Sequence, residues 1–113
     1  MWAFLMGLKS VAPEDVRSKA GSGGVTIFDV NSRESFTEGH VPGARNLDPA
    51  NYTAADLPAD KDATIVFYCS NTLCRKAPNA AKRAKGMGYR DVAIMSAGIK
   101  GWRDKGLATE AAR

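Results

Sequence analysis

The stretch ATIVFYCSNTLCRKAPNAAKRAK, residues 63–85, decides the fold. Residues 63–68 are β-branched or aromatic and almost continuously apolar, a pattern typical of a strand buried on both faces. Residues 69–74 predict a loop. A helix is predicted over residues 75–85, with a proline near its start and alanines at helical spacing. The buried strand followed at once by a helix indicates a βα unit of a parallel sheet.

The same alternation recurs on both sides of this stretch. Further strands are predicted at residues 25–30, 44–47 and 91–95, and further helices from residue 13, over 32–37 and over 99–105. Residues 48–62 predict an irregular segment with one helical turn. Strands that alternate with helices imply right-handed βαβ units, and hence a three-layer α/β domain. In such sheets ligands bind where the carboxyl ends of strands meet helix N-termini.

Length and composition exclude several classes of protein. At 113 residues, with 44% apolar and 25% charged residues, the chain resembles one ordinary globular domain. Two cysteines and one histidine are too few for a structural zinc site built from Cys and His. The longest apolar run, residues 1–8, is far shorter than the ~20 residues that span a bilayer and lacks a basic leader. We expect no membrane span and a cytoplasmic protein, or a periplasmic one from which a signal peptide has been removed.

The net charge of +4 is divided unevenly along the chain. Residues 1–60 hold five basic and eight acidic side chains, a net of −3, whereas residues 61–113 hold eleven and four, a net of +7. After Cys74, and before the next acid at position 91, lie six basic side chains: Arg75, Lys76, Lys82, Arg83, Lys85 and Arg90. Such a cluster is either a solvated helix face or a positive field for an anionic ligand. It lacks interleaved aromatic side chains, so no nucleic-acid partner is predicted.

Cys69 stands where this architecture places ligand sites. It ends a predicted buried strand, begins a short loop and faces a helix N-terminus, an environment that favours the thiolate form of cysteine. Arg75, separated from it by five residues, adds a fixed cation, and loop amides can converge on an anion. The pattern therefore favours a nucleophilic thiolate that acts on an anionic substrate. The alternative is a buried structural thiol.

Several segments resemble, in order and spacing, those of the single-domain rhodanese-like family. The most characteristic is EGHVPGARNL at residues 38–47. The others lie at residues 10–16, 28–36, 67–69, 86–89 and 97–102. The resemblance covers about residues 10–107 and implies one rhodanese-like domain over residues 1–113, with a mostly parallel sheet of about five strands and helices on both faces.

The resemblance also implies a sulfurtransferase. Cys69 would take a sulfane sulfur from thiosulfate or a persulfide donor, hold it as a persulfide, and pass it to cyanide or a thiol. The anionic persulfide would be held by the backbone amides of six loop residues: Ser70, Asn71, Thr72, Leu73, Cys74 and Arg75. Two residues would support the site. Asp29 would orient loop amides or cap the next helix, and Arg33 would partly replace an arginine that the family often has at position 31. No metal or organic cofactor is implied, and we expect a monomer, with a dimer as the alternative.

Two departures from the family pattern leave other functions open. The loop lacks glycine, and its longer Cys69-to-Arg75 spacing resembles that of Cdc25-type phosphatases and related arsenate reductases. Those relatives usually have histidine before the cysteine, where this chain has Tyr68. Asn31 stands where the family often has arginine and cannot form its salt bridge. A third alternative is a binding or regulatory module with little activity.

Four further side chains have more than one interpretation. Cys74 is either a small side chain that fills the rim of the loop or a resolving thiol for Cys69. His40 lies in a turn whose role in the family is structural, and we expect no catalytic base there. Trp102 is predicted to pack the last helix onto the core, and Met87 and Met95 are predicted core residues.

Overall fold

The computed structural model describes residues 8–112, so nearly all of the apolar run at residues 1–8 lies outside the described part. The strands are β1 (Lys9–Ser10), β2 (Thr26–Asp29), β3 (Arg45–Asn46), β4 (Thr64–Tyr68) and β5 (Asp91–Ile94). The helices are α1 (Pro13–Ser22), α2 (Arg33–Glu38), α3 (Lys76–Gly86) and α4 (Gly98–Asp104), with one 3₁₀ turn at Ala54–Asp56. Within residues 8–112 no helix combines the length and the apolar content needed to cross a bilayer.

The five strands form one sheet in the order β1-β5-β4-β2-β3, and every neighbouring pair is parallel. β4 lies at the centre, where Phe67 is opposite Phe28 of β2 and Ile94 of β5. All parallel strands point the same way, so the turns that follow β2, β4 and β5 meet at one edge. This edge carries the cysteine loop.

Alternating side chains of the strands build two cores, one on each face of the sheet. On one face, Phe28 and Phe67 pack against the alanine face of α3, whose four buried alanines permit close contact. On the other face, Val66 and Tyr68 pack with Val16 of α1 and with Trp102 of α4, among others. The α/β class, the five-stranded parallel sheet and the helices on both faces are therefore confirmed.

The structure shifts several predicted boundaries. The helix predicted from residue 13 runs to Ser22 and is capped by Gly23, whose φ of 75° is in the left-handed region. The helix predicted over residues 75–85 runs over Lys76–Gly86. The two-residue strand Lys9–Ser10 was not predicted, because so short a stretch carries no readable periodicity.

Candidate active site

Cys69 directly follows the central strand β4 and is only 2% exposed. Its carbonyl oxygen accepts a hydrogen bond of 2.9 Å from the backbone N–H of Ile99 in α4. The preceding carbonyl, of Tyr68, accepts one of 3.0 Å from Val30. The nucleophile predicted from the sequence is therefore fixed by backbone contacts on both sides, at the carboxyl edge of the sheet.

The cysteine loop, residues 69–75, is held in shape by its own residues and by α4. Asn71 accepts two hydrogen bonds. Its backbone carbonyl accepts one of 3.2 Å from the N–H of Cys74, and its side-chain oxygen accepts one of 2.9 Å from the N–H of Leu73. The carbonyl of Ser70 accepts from the N–H of Lys100 at 3.0 Å. The side chain of Leu73 is 80% exposed. The loop therefore has a defined backbone, while its tip faces solvent.

A disulfide joins Cys69 to Cys74, with the two Cα atoms 6.4 Å apart. This distance lies within the range that a disulfide bridges without movement of the backbone. Cys74 also packs, partly buried, against the α3 core, as its interpretation as a rim residue predicted. The structure nevertheless brings the two sulfurs together, which the interpretation as a resolving thiol requires.

Gly98 makes the closest backbone approach to the loop, and the sequence analysis did not identify this role. Its φ is +69°, and a Cβ at this position would lie 2.6 Å from the carbonyl atoms of Ser70 and 2.7 Å from the nitrogen of Asn71. Only glycine meets both demands, since other residues rarely adopt that φ and would add the clashing carbon. The sequence carries no signal for this contact, because Gly98 and the cysteine loop are distant along the chain.

Asn31 connects the turn after β2 to the cysteine loop. The hydroxyl of Ser70 donates to its side-chain oxygen at 2.8 Å. The side-chain amide of Asn46 donates to its carbonyl at 3.0 Å. The residue that departs from the family pattern thus takes a position beside the nucleophile, where it makes a neutral hydrogen bond in place of a salt bridge.

Asp29 is completely buried and supports the site indirectly. One carboxylate oxygen accepts from the N–H of Asn31 at 2.8 Å and the other from the hydroxyl of Tyr68 at 2.6 Å. Burial raises the pKa of Asp29, against the lowering effect of these two hydrogen bonds. Burial and then the nearby Asp29 carboxylate also raise the pKa of Tyr68, so its phenol stays protonated. Asp29 therefore fixes Tyr68, which precedes the cysteine loop, and Asn31, which lies before α2.

A cavity of about 640 Å³ opens next to Asn31 at the same edge of the sheet. Its walls come from the turn after β2, the end of β3 and the start of α3. Arg33, Lys76 and the amide side chain of Asn79 line it, and so does the acidic side chain of Asp48, so a ligand would meet charges of both signs there. The guanidinium of Arg33 also lies 5.6 Å from the ring centre of Phe36.

Part of the basic cluster serves the fold and does not face the loop. Arg83 donates to the carbonyl of Tyr52 and lies 5.3 Å from the centre of its ring, and Arg90 pairs with Asp62. Arg83 is in the last turn of α3, a helix about 16 Å long, and Arg90 follows that helix. The local positive charge at the loop therefore comes from the residues that flank the start of α3, including Arg75.

His40 is a buried structural residue, as expected. Its Nδ1 is 2.8 Å from the carbonyl of Phe36, its ring stacks on the Phe36 ring, and its Nε2 is 3.4 Å from a carboxylate oxygen of Glu110. The same oxygen of Glu110 accepts from the N–H of Gly43 at 2.9 Å. We call residues 39–44 the histidine turn. Glu110, which holds this turn from the end of the chain, had no signal in the sequence.

The remaining predicted core residues lie where expected. Trp102 is 2% exposed and donates from its ring to the carbonyl of Ala108 at 2.9 Å, so it packs α4 onto the core. Met95 is buried, and Met87 is partly buried against the α3 core. Among residues 8–112, no three His, Cys, Asp or Glu side chains are grouped so as to hold a metal ion.

Known proteins resemble this chain along most of its length. The HTH-type transcriptional regulator Rv0324 of Mycobacterium tuberculosis is 36% identical over 88% of the chain, which spans 46% of that regulator, about half its length. The thiosulfate sulfurtransferase GlpE of Pseudomonas aeruginosa is 33% identical, with 82% of each protein covered. The thiosulfate:glutathione sulfurtransferase of Homo sapiens is 28% identical over 89% of the chain and 98% of its own length.

Solved structures and a family model agree with these similarities. The BH2092 protein of Bacillus halodurans superposes with a TM-score of 0.83 at 24% identity, over 91% of this chain and 77% of that one. The family model of the rhodanese-like domain matches residues 12–105, which include the cysteine loop, the histidine turn and all four helices. On the strength of that match, the chain belongs to the rhodanese-like domain family.

Proposed function

We propose that this protein is a sulfurtransferase that carries a sulfane sulfur on Cys69. The observation that carries the proposal is the position of Cys69: buried, at the end of the central strand, and first in a loop that leads into the N-terminus of α3. The names of GlpE and of the human thiosulfate:glutathione sulfurtransferase support the same activity, and the match to the human protein extends over 98% of its length.

The reaction starts from the reduced loop, in which both cysteines are thiols. The Cys69 thiolate attacks the outer sulfur of thiosulfate, the S–S bond of thiosulfate breaks, and sulfite leaves with the electron pair. The product is a Cys69 persulfide. Amide groups at the start of α3 and in residues 70–75, together with the cation of Arg75, stabilise the anionic sulfur much as an oxyanion hole does. Burial of Cys69 limits the access of water and large oxidants to the persulfide.

An acceptor then attacks the outer sulfur of the persulfide and regenerates the Cys69 thiolate. Cyanide or a small thiol is suited to this step, because the nucleophile is almost inaccessible to a folded protein surface. The cavity beside Asn31 is the place for the remainder of a thiol acceptor. Its wall holds two cations, Arg33 and Lys76, and one carboxylate, Asp48, so a carboxylate on the acceptor would find basic partners on one part of the wall.

One sequence feature favours a second function. The five residues between Cys69 and Arg75 make a wider ring of amides, which would surround a phosphate or arsenate better than a single sulfur. In this second function Cys69 would attack phosphorus or arsenic, and Arg75 would contact the oxyanion. The alternative and the sulfurtransferase proposal use the same nucleophile, so they differ in substrate rather than in site.

A paired assay separates the two functions. The fully reduced protein is given thiosulfate and cyanide in one assay and an aryl phosphate in the other, with Cys69→Ser as the control in both. We expect thiocyanate from the wild-type protein and no phosphate release above the control. When thiosulfate is given without cyanide, we expect the wild type, but not Cys69→Ser, to release sulfite.

Phosphate release without thiocyanate would reverse the order of the two functions. Activity in neither assay, with no sulfite released from thiosulfate, would reject both. That result would favour a binding or regulatory module, the class to which the name of the mycobacterial relative belongs.

A further inference from the structure

The bond between Cys69 and Cys74 closes the cysteine loop across the position that the substrate sulfur would occupy. The loop needs no rearrangement for this closure, because the two Cα atoms lie 6.4 Å apart and disulfides span ~4.4–6.8 Å. The same backbone is held by the carbonyl contacts to α4 and by the turn around Asn71. The fixed backbone of the loop therefore places the sulfur of Cys74 within bonding distance of that of Cys69.

The two cysteines differ in their accessibility. Cys69 is 2% exposed, whereas Cys74 is only partly buried and is next to the strongly exposed Leu73. An external reagent therefore reaches the sulfur of Cys74 more easily than that of Cys69. A thiol held in the same loop also attacks at a high effective concentration, which a dilute external acceptor cannot match.

From this arrangement we propose that Cys74 discharges the Cys69 persulfide and releases its outer sulfur as hydrosulfide; this inference rests on the sulfurtransferase function proposed above. The Cys74 thiolate attacks the inner sulfur of the protonated persulfide. The bond between the two persulfide sulfurs breaks, and the outer sulfur leaves as HS⁻ with its proton and the electron pair. The product is the Cys69–Cys74 disulfide that the structure contains.

A low-molecular-weight or protein dithiol completes the cycle. One of its thiolates attacks Cys74, the more accessible sulfur, and Cys69 leaves as a thiolate in the loop that leads into α3. The second thiol of the reductant then resolves the mixed disulfide and frees Cys74. In sum, thiosulfate and a dithiol give sulfite, hydrosulfide, one proton and the oxidised dithiol, so the activity is a dithiol-dependent thiosulfate reductase.

A single-turnover experiment without any acceptor tests the inference. Reduced protein, freed of reductant, receives one equivalent of thiosulfate whose outer sulfur is isotopically labelled. Sulfite, labelled hydrosulfide and remaining protein thiols are then measured for the wild type, Cys74→Ser, Cys74→Ala and Cys69→Ser. For the wild type we expect equal amounts of sulfite and labelled hydrosulfide, and a peptide map with the 69–74 bond.

The Cys74 variants are expected to release sulfite but to keep the labelled sulfur on Cys69, with hydrosulfide formed at least about tenfold more slowly. Cys69→Ser should release neither product. Wild-type protein that forms sulfite but retains the label, with Cys74 still open to alkylation, would overturn the inference and leave the sulfurtransferase proposal standing. Equal hydrosulfide release by the wild type and a Cys74 variant would overturn it as well.

Absence of sulfite from the wild type would instead reject the sulfurtransferase proposal, and this inference with it. The wild-type measurements alone decide the matter if both Cys74 variants fail to fold. Labelled hydrosulfide together with the 69–74 bond supports the inference, whereas disulfides between two chains, seen as dimers without reductant, contradict it.

Discussion

The cysteine loop and the histidine turn each contain a side chain of a type that is often catalytic, but the two segments differ in their contacts and in their exposure to solvent. In the histidine turn both ring nitrogens of His40 face protein atoms. One oxygen of Glu110 accepts from the N–H of Gly43 and lies 3.4 Å from a ring nitrogen of His40. In the cysteine loop the backbone is fixed, but the tip at Leu73 is exposed to solvent. The proposed reactive residue, Cys69, is thus buried at the base of a fixed loop whose tip reaches solvent, whereas the structural residue, His40, has protein atoms beside both ring nitrogens.

The strongest test of this contrast replaces Cys69 in one variant and His40 in another. We expect Cys69→Ser to lower the rate of thiocyanate formation by about 10³-fold or more, because the covalent nucleophile is lost. His40→Asn, whose side-chain amide can keep the hydrogen bond to the carbonyl of Phe36, should retain the specific activity within about threefold and lose about 1–3 kcal/mol of stability. Steady-state assays and urea unfolding measure the two effects.

The contrast would be broken by a His40→Asn protein that is fully folded but inactive. In that case the histidine turn would have a part in catalysis that its hydrogen bonds do not indicate. A Cys69→Ser protein that keeps its activity would place the nucleophile elsewhere.

The next largest effect is expected at the contact between α4 and the loop. Gly98→Ala adds a carbon within 2.7 Å of the backbone of Ser70 and Asn71, in addition to the unfavourable φ. The matched control is Gly106→Ala, where φ is +74° but nothing lies within 4 Å of the new carbon. Both variants should lose about 1 kcal/mol for the backbone conformation, and Gly98→Ala should in addition lose roughly tenfold in activity as the loop shifts.

Equal losses of activity and of melting temperature in these two glycine variants would remove the loop contact as the explanation. The comparison also separates two roles of glycine, conformational freedom and absence of volume. The histidine turn is not touched by either substitution, so its hydrogen bonds serve as an internal reference in an NMR spectrum.

A smaller effect is expected for the bond between Ser70 and Asn31. Ser70→Ala removes the hydroxyl that donates at 2.8 Å to the side-chain oxygen of Asn31, which should cost about 0.5–1.5 kcal/mol and a few-fold in activity. A double-mutant cycle with Asn31→Ala measures the coupling. Additive effects in the cycle would show that the two side chains do not act together.

The smallest effect is a dependence of stability on pH that has opposite signs at two aspartates. Burial raises the pKa of Asp29 above its ordinary value of 3.8, so its contribution to stability is present below that value and is lost as the pH rises through the raised pKa. Hydrogen bonds from Lys9 and Thr64 lower the pKa of Asp91 below 3.8. Its contribution is present above 3.8 and is lost as the pH falls through the lowered pKa.

Unfolding of the wild type, Asp29→Asn and Asp91→Asn from about pH 3 to 8 tests these signs. The wild-type stability minus that of Asp29→Asn should fall as the pH rises, and the corresponding difference for Asp91→Asn should rise. Differences of the same sign would mean that Asp29 is better solvated than its complete burial implies.

The sequence was sufficient for the fold because the signals are local there. Apolar β-branched runs and alanine spacing define β2, β4, β5 and α3, and the family resemblance supplied the number of strands. The cysteine loop was also located correctly, since a strand end and a helix start both leave a sequence pattern. The role of the loop residues as ligands of a substrate remains a prediction.

What could not be predicted depends on contacts between distant segments. Gly98 is one glycine of eleven, and nothing in its neighbours reveals that the backbone of Ser70 lies against it. Glu110 follows the last helix in a segment without periodicity, yet it holds the histidine turn. Whether Cys74 would meet Cys69 depended on the Cα distance, which spacing along the chain does not fix.

The sheet order has a consequence for how the chain reaches its native state. β1 precedes the other described strands along the sequence, but within residues 8–112 its one partner in the sheet is β5, with Lys9 opposite Ala93. This strand therefore cannot pair until β5 has been made, and the pairing closes a long loop between residues 10 and 93. Because folding slows as contacts become more distant along the sequence, we expect β1 to dock late, onto a sheet already assembled from β4 and its neighbours.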